Sequence, residues 1–162
     1  MIRSVTRDDA EAICRIYNHY ILNTPITFEE EALTVSEMAA RIDEYTREYP
    51  WVVYEDEGGI RGYAYAGKWK GRSAYRFTVE SSIYLDASAT GRGLGSLLYG
   101  ELLAQLKSSP VHAVIAGITV PNQASVALHE KVGFKKIGEF REVGWKFGRW
   151  LDVGYWQLLL PR

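Results

Sequence analysis

Only one cysteine, Cys14, stands in a chain of 162 residues. No internal disulfide framework is possible, and the expected setting is a reducing one. Three histidines, His19, His112 and His129, lie far apart and show no metal-ligand spacing, so no metal is expected. Charge of one sign is missing too: 19 basic residues face 20 acidic ones, for a formal net charge of -1. With the cations spread along the chain there is no footprint for nucleic acid and no polybasic tail for a lipid surface. No apolar run approaches the ~18 residues that cross a bilayer, and the charged start (Arg3, Arg7, Asp8, Asp9) does not read as a leader. The expectation is a cytoplasmic, soluble protein acting on a small molecule. Repeats and low-complexity linkers are absent as well. A hydrophobic content of 47% is enough for one core, so residues 1–162 read as a single domain.

Residues 2–5 read as a short strand, and Thr6, Arg7, Asp8 and Asp9 offer capping oxygens to a helix with Ile13, Ile16, Tyr17, Tyr20 and Ile21 on one face. Pro25 ends it, and a second helix is expected over 35–47, with the connection around 25–31 acting as a lid. Residues 51–54 and 60–66 form a hairpin through the turn at Gly58 and Gly59. Residues 75–85 read as a long central strand. Leu94, Leu98, Leu102 and Leu106 recur every four residues and mark an amphipathic helix. A buried strand follows over 111–118, then a helix opened by Pro121 and Asn122 and closed by Gly133. The tail from 134 to 160 is strand-rich and turns around Lys146, Phe147, Gly148 and Arg149. The order is strand, two helices, three strands, helix, strand, helix, two strands. That order predicts an α+β domain, a mixed sheet with helices on both faces.

The most informative stretch is Thr90-Gly91-Arg92-Gly93-Leu94-Gly95-Ser96, placed between the central strand and the leucine helix. Close glycines at a helix mouth let backbone N–H groups approach an anion, and the helix N-terminus adds about half a positive charge. A Walker loop would end in Gly-Lys-Ser/Thr, which is absent. A dinucleotide fingerprint needs Gly-x-Gly-x-x-Gly in an early βαβ unit, whereas this loop follows the fourth strand and reads Gly-x-Gly-x-Gly.

The loop resembles the Arg/Gln-x-x-Gly-x-Gly/Ala signature of the Gcn5-related N-acetyltransferase (GNAT) superfamily, with Thr90 where Arg or Gln is usual. Residues 122–134, from Asn122 through His129-Glu130-Lys131 to Gly133-Phe134, are similar to its second motif, with His129 where a tyrosine is frequent. Four further segments, 17–21, 63–70, 78–85 and 146–154, look like the phosphinothricin and methionine-sulfoximine acetyltransferase branch. The resemblance implies a mostly antiparallel sheet of about seven strands, acetyl-coenzyme A as cosubstrate, an amino acid analogue as acceptor and a homodimer. It also implies a cofactor site at Ile83, Tyr84, Leu85, Gly91, Arg92, Gly93, Leu94, Gly95, Ser96, Asn122 and Ser125. The aromatics Trp145, Phe147, Trp150, Tyr155 and Trp156 read either as an interface between copies or as core.

Amide formation from a thioester needs an uncharged amine, hence a proton acceptor. Glu80, in an otherwise apolar strand, is the candidate base, because burial would raise its pKa; pairing with Arg72 or Arg76 is the structural alternative. His129 could relay a proton or protonate the leaving thiolate, or serve only in packing. For a zwitterionic acceptor, Arg72 and Arg76 offer cations and Phe28 and Tyr75 aromatic walls, with Ser81 and Ser82 beside the base. Cys14 has no neighbouring base in sequence, so direct attack in a ternary complex is expected rather than an acetyl-cysteine.

Overall fold

A computed structural model of the chain describes residues 1–161. Seven strands form one sheet in the order β1-β2-β3-β4-β5-β7-β6. The elements are β1 (Ile2–Ser4), α1 (Ala10–Asn23), α2 (Val35–Thr46), β2 (Trp51–Asp56), β3 (Gly59–Lys68), β4 (Thr78–Leu85), α3 (Leu94–Lys107), β5 (Ala113–Val120), α4 (Gln123–Lys131), β6 (Lys135–Lys146) and β7 (Arg149–Leu159). Every neighbouring pair is antiparallel except β4 and β5. Element order and sheet class are those expected from the sequence.

The two faces carry different cores. Alternation along β2, β3 and β4 sends Val52, Ala64, Ala66 and Val79 to one side, where Leu98, Leu102 and Leu106 of α3 cover them without residual exposure. Trp51, Val53 and Tyr63 point to the other, under Ile13, Ile16 and Ile21 of α1 and Met38 and Ile42 of α2. Each leucine so buried contributes about 1.5–3 kcal/mol. Helix α2 starts with a capping box: Thr34 Oγ1 accepts from Glu37 N–H, and the Glu37 carboxylate accepts from Thr34 N–H.

Several boundaries differ from expectation, with β2 and β3 running longer, to Trp51–Asp56 and Gly59–Lys68. Strand β4 begins at Thr78 rather than 75, because Ser73–Tyr75 form a 3-10 turn closed by Tyr75 N–H on Arg72 O and Arg76 N–H on Ser73 O. Strand β5 runs 113–120 rather than 111–118; its entry is held by Phe77 O, which accepts from the N–H groups of His112 and Ala113. The tail resolves into two long strands joined by Phe147 and Gly148, both at positive φ (54° and 71°), as a tight two-residue hairpin requires.

Candidate active site

Strands β4 and β5 pair only over Thr78–Ala113, Val79–Val114 and Glu80–Ile115. Beyond Glu80 the partnership ends: β4 continues against β3 and β5 against β7. The parallel pair therefore splays, and residues Ser81 to Leu85 lose a strand neighbour on the β5 side. In the opening lies a cavity of about 60 Å³ lined by Ser81, Ser82, Ile83, Tyr84, Gly117, Ile118, Asn122, Ser125, His129 and Ile26. It adjoins a larger one, about 330 Å³, lined by Ile83, Tyr84, Leu85, Thr90, Gly91, Gly93, Leu94, Gly95, Ser96, Asn122 and Ser125. The two share residues of β4 and the starts of α3 and α4.

The glycines of the loop are there for distinct reasons. Gly91 and Gly93 hold φ of 78° and 76°, a region side chains avoid, and the backbone at Gly93 turns directly into α3. Gly95 lies against α4: a Cβ there would fall 2.9 Å from Leu128 Cδ2. Lacking side chains, these residues bring the first N–H groups of α3 to the cavity wall, where an anion gains both hydrogen bonds and the helix dipole. Asn122 caps α4, its Oδ1 accepting from Ser125 N–H at 3.2 Å; its Nδ2 donors have no partner among the described residues. Arg92 is not on the wall. Its half-exposed guanidinium sits 3.8 Å from Asp56.

Beneath the cavity runs a polar chain through otherwise apolar packing. His129 is 4% exposed, and its Nδ1 lies 2.7 Å from the carbonyl of Ser125. A carbonyl only accepts, so Nδ1 carries the hydrogen and Nε2 is the acceptor. Tyr99 OH, 2.7 Å from Nε2, must then donate to it, and Ser81 Oγ, 2.8 Å away, donates to Tyr99. Burial pushes the His129 pKa below its usual value, keeping the ring neutral and able to receive a proton. Burial likewise raises the pKa of Tyr99. Tyr99 was not apparent from sequence; the available signal was a tyrosine beside Leu98 and Leu102 on the buried face of α3, where a hydroxyl needs a partner.

Glu80 stands at the vertex where β4 and β5 part, opposite Gly67 on β3 and Ile115 on β5. No hydrogen bond or ion pair engages its carboxylate among the described residues, neither Arg72 nor Arg76 included. Burial raises its pKa above the usual carboxylate range; Lys70, the cation in electrostatic reach, partly opposes this.

The remaining acceptor candidates fall in separate places. Arg72 and Arg76 line a surface cleft with Lys68, Lys70, Glu48, Tyr49 and Phe77, at the entry end of β4, and Tyr75 is exposed in the adjoining turn. Phe28 instead packs over Gly144 of β6, where a Cβ would fall 2.3 Å from its ring. Ser81 and Ser82 lie in the splay. Within one copy the structure thus keeps the proposed base with the serines, places Phe28 two residues from Ile26 of the cavity wall, and puts Arg72 and Arg76 in a separate cleft.

A phosphate-accepting helix mouth, a splayed strand pair and an unpaired carboxyl at its vertex are the layout of a group-transfer enzyme. The profile of the acetyltransferase (GNAT) domain matches residues 2–154. Phosphinothricin N-acetyltransferase of Streptomyces viridochromogenes is 43% identical over 96% of this chain and 85% of its own length. The L-methionine sulfoximine/L-methionine sulfone acetyltransferase of Salmonella typhimurium is 36% identical over 98% and 94%. Among solved structures, a GNAT superfamily phosphinothricin acetyltransferase from Sinorhizobium meliloti in complex with acetyl-coenzyme A superposes with a TM-score of 0.95. It is 40% identical, and the match covers 99% of this chain and 88% of that one. The chain belongs to the GNAT acetyltransferase family.

Proposed function

We propose that this enzyme transfers the acetyl group of acetyl-coenzyme A to the α-amino group of a small amino acid analogue such as phosphinothricin, methionine sulfoximine or methionine sulfone. The observation that carries the reading is the unpaired, partly buried Glu80 where β4 and β5 part, next in sequence to Ser81 and Ser82, whose cavity adjoins that of the glycine loop. Residues 91, 93, 94, 95 and 96 offer backbone N–H groups to the pyrophosphate. Ile83, Tyr84 and Leu85 present strand edge to the pantetheine arm, and the free amide of Asn122 and the Ser125 hydroxyl offer further polar contacts. The bound cosubstrate supplies an activated acetyl thioester.

Glu80 takes a proton from the acceptor ammonium, directly or through water, leaving a neutral amine to attack the thioester carbonyl. As the tetrahedral adduct collapses the C–S bond breaks, and the leaving thiolate takes up the proton that the nitrogen loses on becoming an amide; Ser81 and His129, joined through Tyr99, line the smaller cavity and are the proposed relay for it. Cys14 is buried under Leu33 O and away from the cleft, and burial raises its pKa. That supports direct attack over an acetyl-cysteine. Arg72, Tyr75, Arg76 and Phe28 are the proposed acceptor contacts.

We also propose a homodimer built on β6 and β7. Phe140, Val143, Trp145, Phe147 and Trp150 are each more than half exposed there, and clustered exposed apolar side chains mark interaction surfaces. Trp156, by contrast, is 2% exposed and belongs to the core. Among the described residues no helix is long and apolar enough to cross a membrane, and a lone buried thiol fits the cytoplasm. Thiol release from acetyl-coenzyme A on adding these amines tests the activity; binding of the cosubstrate without release for any amine would replace it with a sensing role.

A further inference from the structure

Lys146, the last residue of β6, is a buried lysine for which the reaction above has no use. It is 2% exposed, and its Nζ donates to the backbone carbonyl of Thr27 at 2.7 Å. Lysine is almost never buried to this degree without a partner. Burial pulls the ammonium pKa down, while Glu30 and Glu29 oppose that. The ammonium also lies 5.1 Å from the Phe147 ring.

The carbonyl it holds belongs to the irregular connection between α1 and α2, which has no strand ladder to fix it. That connection is fastened from both sides. On one, Tyr17 OH lies 2.8 Å from Thr27 Oγ1 and donates to Glu29, whose carboxylate receives two further bonds from Arg41 at 2.7 and 2.6 Å. On the other, β6 grips it at two points two residues apart, hence on one face of the strand: the Phe28 ring over Gly144, and Lys146 on Thr27 O. Between these anchors and the cleft stands Ile26, which lines both cavities of the active site.

We propose that Lys146 is a positioning residue that holds residues 26–29 as the wall of the smaller cavity, the one lined by Ser81 and Ser82 and taken here as the acceptor's, and so sets acceptor affinity without touching either substrate. This rests on the acetyltransferase reading of the cleft. Without the ammonium, Thr27 O is a buried acceptor with no donor, and the connection relaxes outward to reach water. The cosubstrate is proposed to be held by backbone of the α3 start and β4; Ile26 borders its cavity but carries none of those polar anchors. A displaced wall residue lowers the fraction of productive acceptor geometry, and even 1 Å matters for that.

The experiment is steady-state kinetics of Lys146→Met, which keeps the stem and removes the donor, beside Lys146→Arg, which restores one, with methionine sulfoximine as acceptor. The expected result for Lys146→Met is a KM for the acceptor raised at least tenfold, a KM for acetyl-coenzyme A within twofold of wild type, and substantial recovery in Lys146→Arg. An unchanged acceptor KM, an equal rise in both KM values, or an arginine variant as impaired as the methionine one would each overturn the proposal. Should Lys146→Met not fold, Ile26→Ala probes the same wall from a partly exposed position: a raised acceptor KM is expected, and none would overturn it. Failure of the parent reading is separate, because it shows as no thiol release by the wild-type enzyme with any amine.

Discussion

Glu80 is the proposed base, and its environment suits that role. A carboxylate in an ion pair would be a poor base at neutral pH, since its pKa falls; this one lacks a pair and is shifted upward by burial. Glu80→Gln is expected to lower kcat by about 10²-fold or more while acetyl-coenzyme A binding survives. As an acid with a raised pKa, Glu80 becomes a competent base only as pH climbs through a value above its ordinary 4.5. The acidic limb of the kcat/KM profile should lie above that point in the wild type and vanish in Glu80→Gln. Turnover near normal with an unaltered limb would remove Glu80 from the role. The base candidate was legible because a glutamate interrupts an apolar strand. Its freedom from Arg72 and Arg76 was not, since only the 3-10 turn at Ser73–Tyr75 carries those cations away from the vertex. Tyr99 and Lys146 were hidden for a related reason: each looks ordinary in its own element, and its partner lies 30 and 119 residues away in sequence.

At the scale of elements, the junction of α3 with α4 is the proposed seat of the cosubstrate. Two helix starts converge on one cavity, and just inside α3 Gly95 lies against Leu128, farther along α4. Gly95→Ala forces a methyl to within 2.9 Å of Leu128 Cδ2, and such overpacking typically costs about 1–3 kcal/mol. Calorimetry should show weaker acetyl-coenzyme A binding, of order tenfold, with a lowered melting temperature. Gly100→Ala on the same helix meets nothing within 4 Å and serves as control; it should be neutral or slightly stabilising. An affinity equal to wild type in Gly95→Ala would mean that the loop tolerates a shifted α4. The leucine spacing and the glycine cluster made this helix readable, because packing and turn geometry both act locally. The start of β4 was misread for the opposite reason. Tyr75, Arg76 and Phe77 have strand-like aromatic content, but a local turn takes precedence there.

Across the whole molecule, the acceptor candidates are distributed: Arg72 and Arg76 line a different cleft from Ser81 and Ser82. Phe28 sits against β6 while Arg72 and Arg76 border a cleft at the entry to β4, and the aromatic face of β6 and β7 has no cover. A second copy on that face is the proposed cover. Sedimentation equilibrium should give twice the chain mass, and Trp150→Glu, which places a charge in the exposed patch, should shift the population to single copies. A wild-type chain that sediments as one copy at micromolar concentration would contradict the dimer. Element order along the chain was readable from hydrophobic period together with turn and cap residues, whereas the strand order in the sheet was not read. Nor was the distribution of the acceptor set, because it depends on which faces the topology leaves open.

The most direct measurement of the central claim is thiol release from saturating acetyl-coenzyme A across a panel of amines, ranked by kcat/KM. The panel should include phosphinothricin, methionine sulfoximine, methionine sulfone, ordinary amino acids, a polyamine and a short peptide. The account predicts release led by the amino acid analogues, with the product acetylated on the α-nitrogen. Release led by the polyamine or the peptide, or no release above the blank from any amine while the cosubstrate binds, would contradict it.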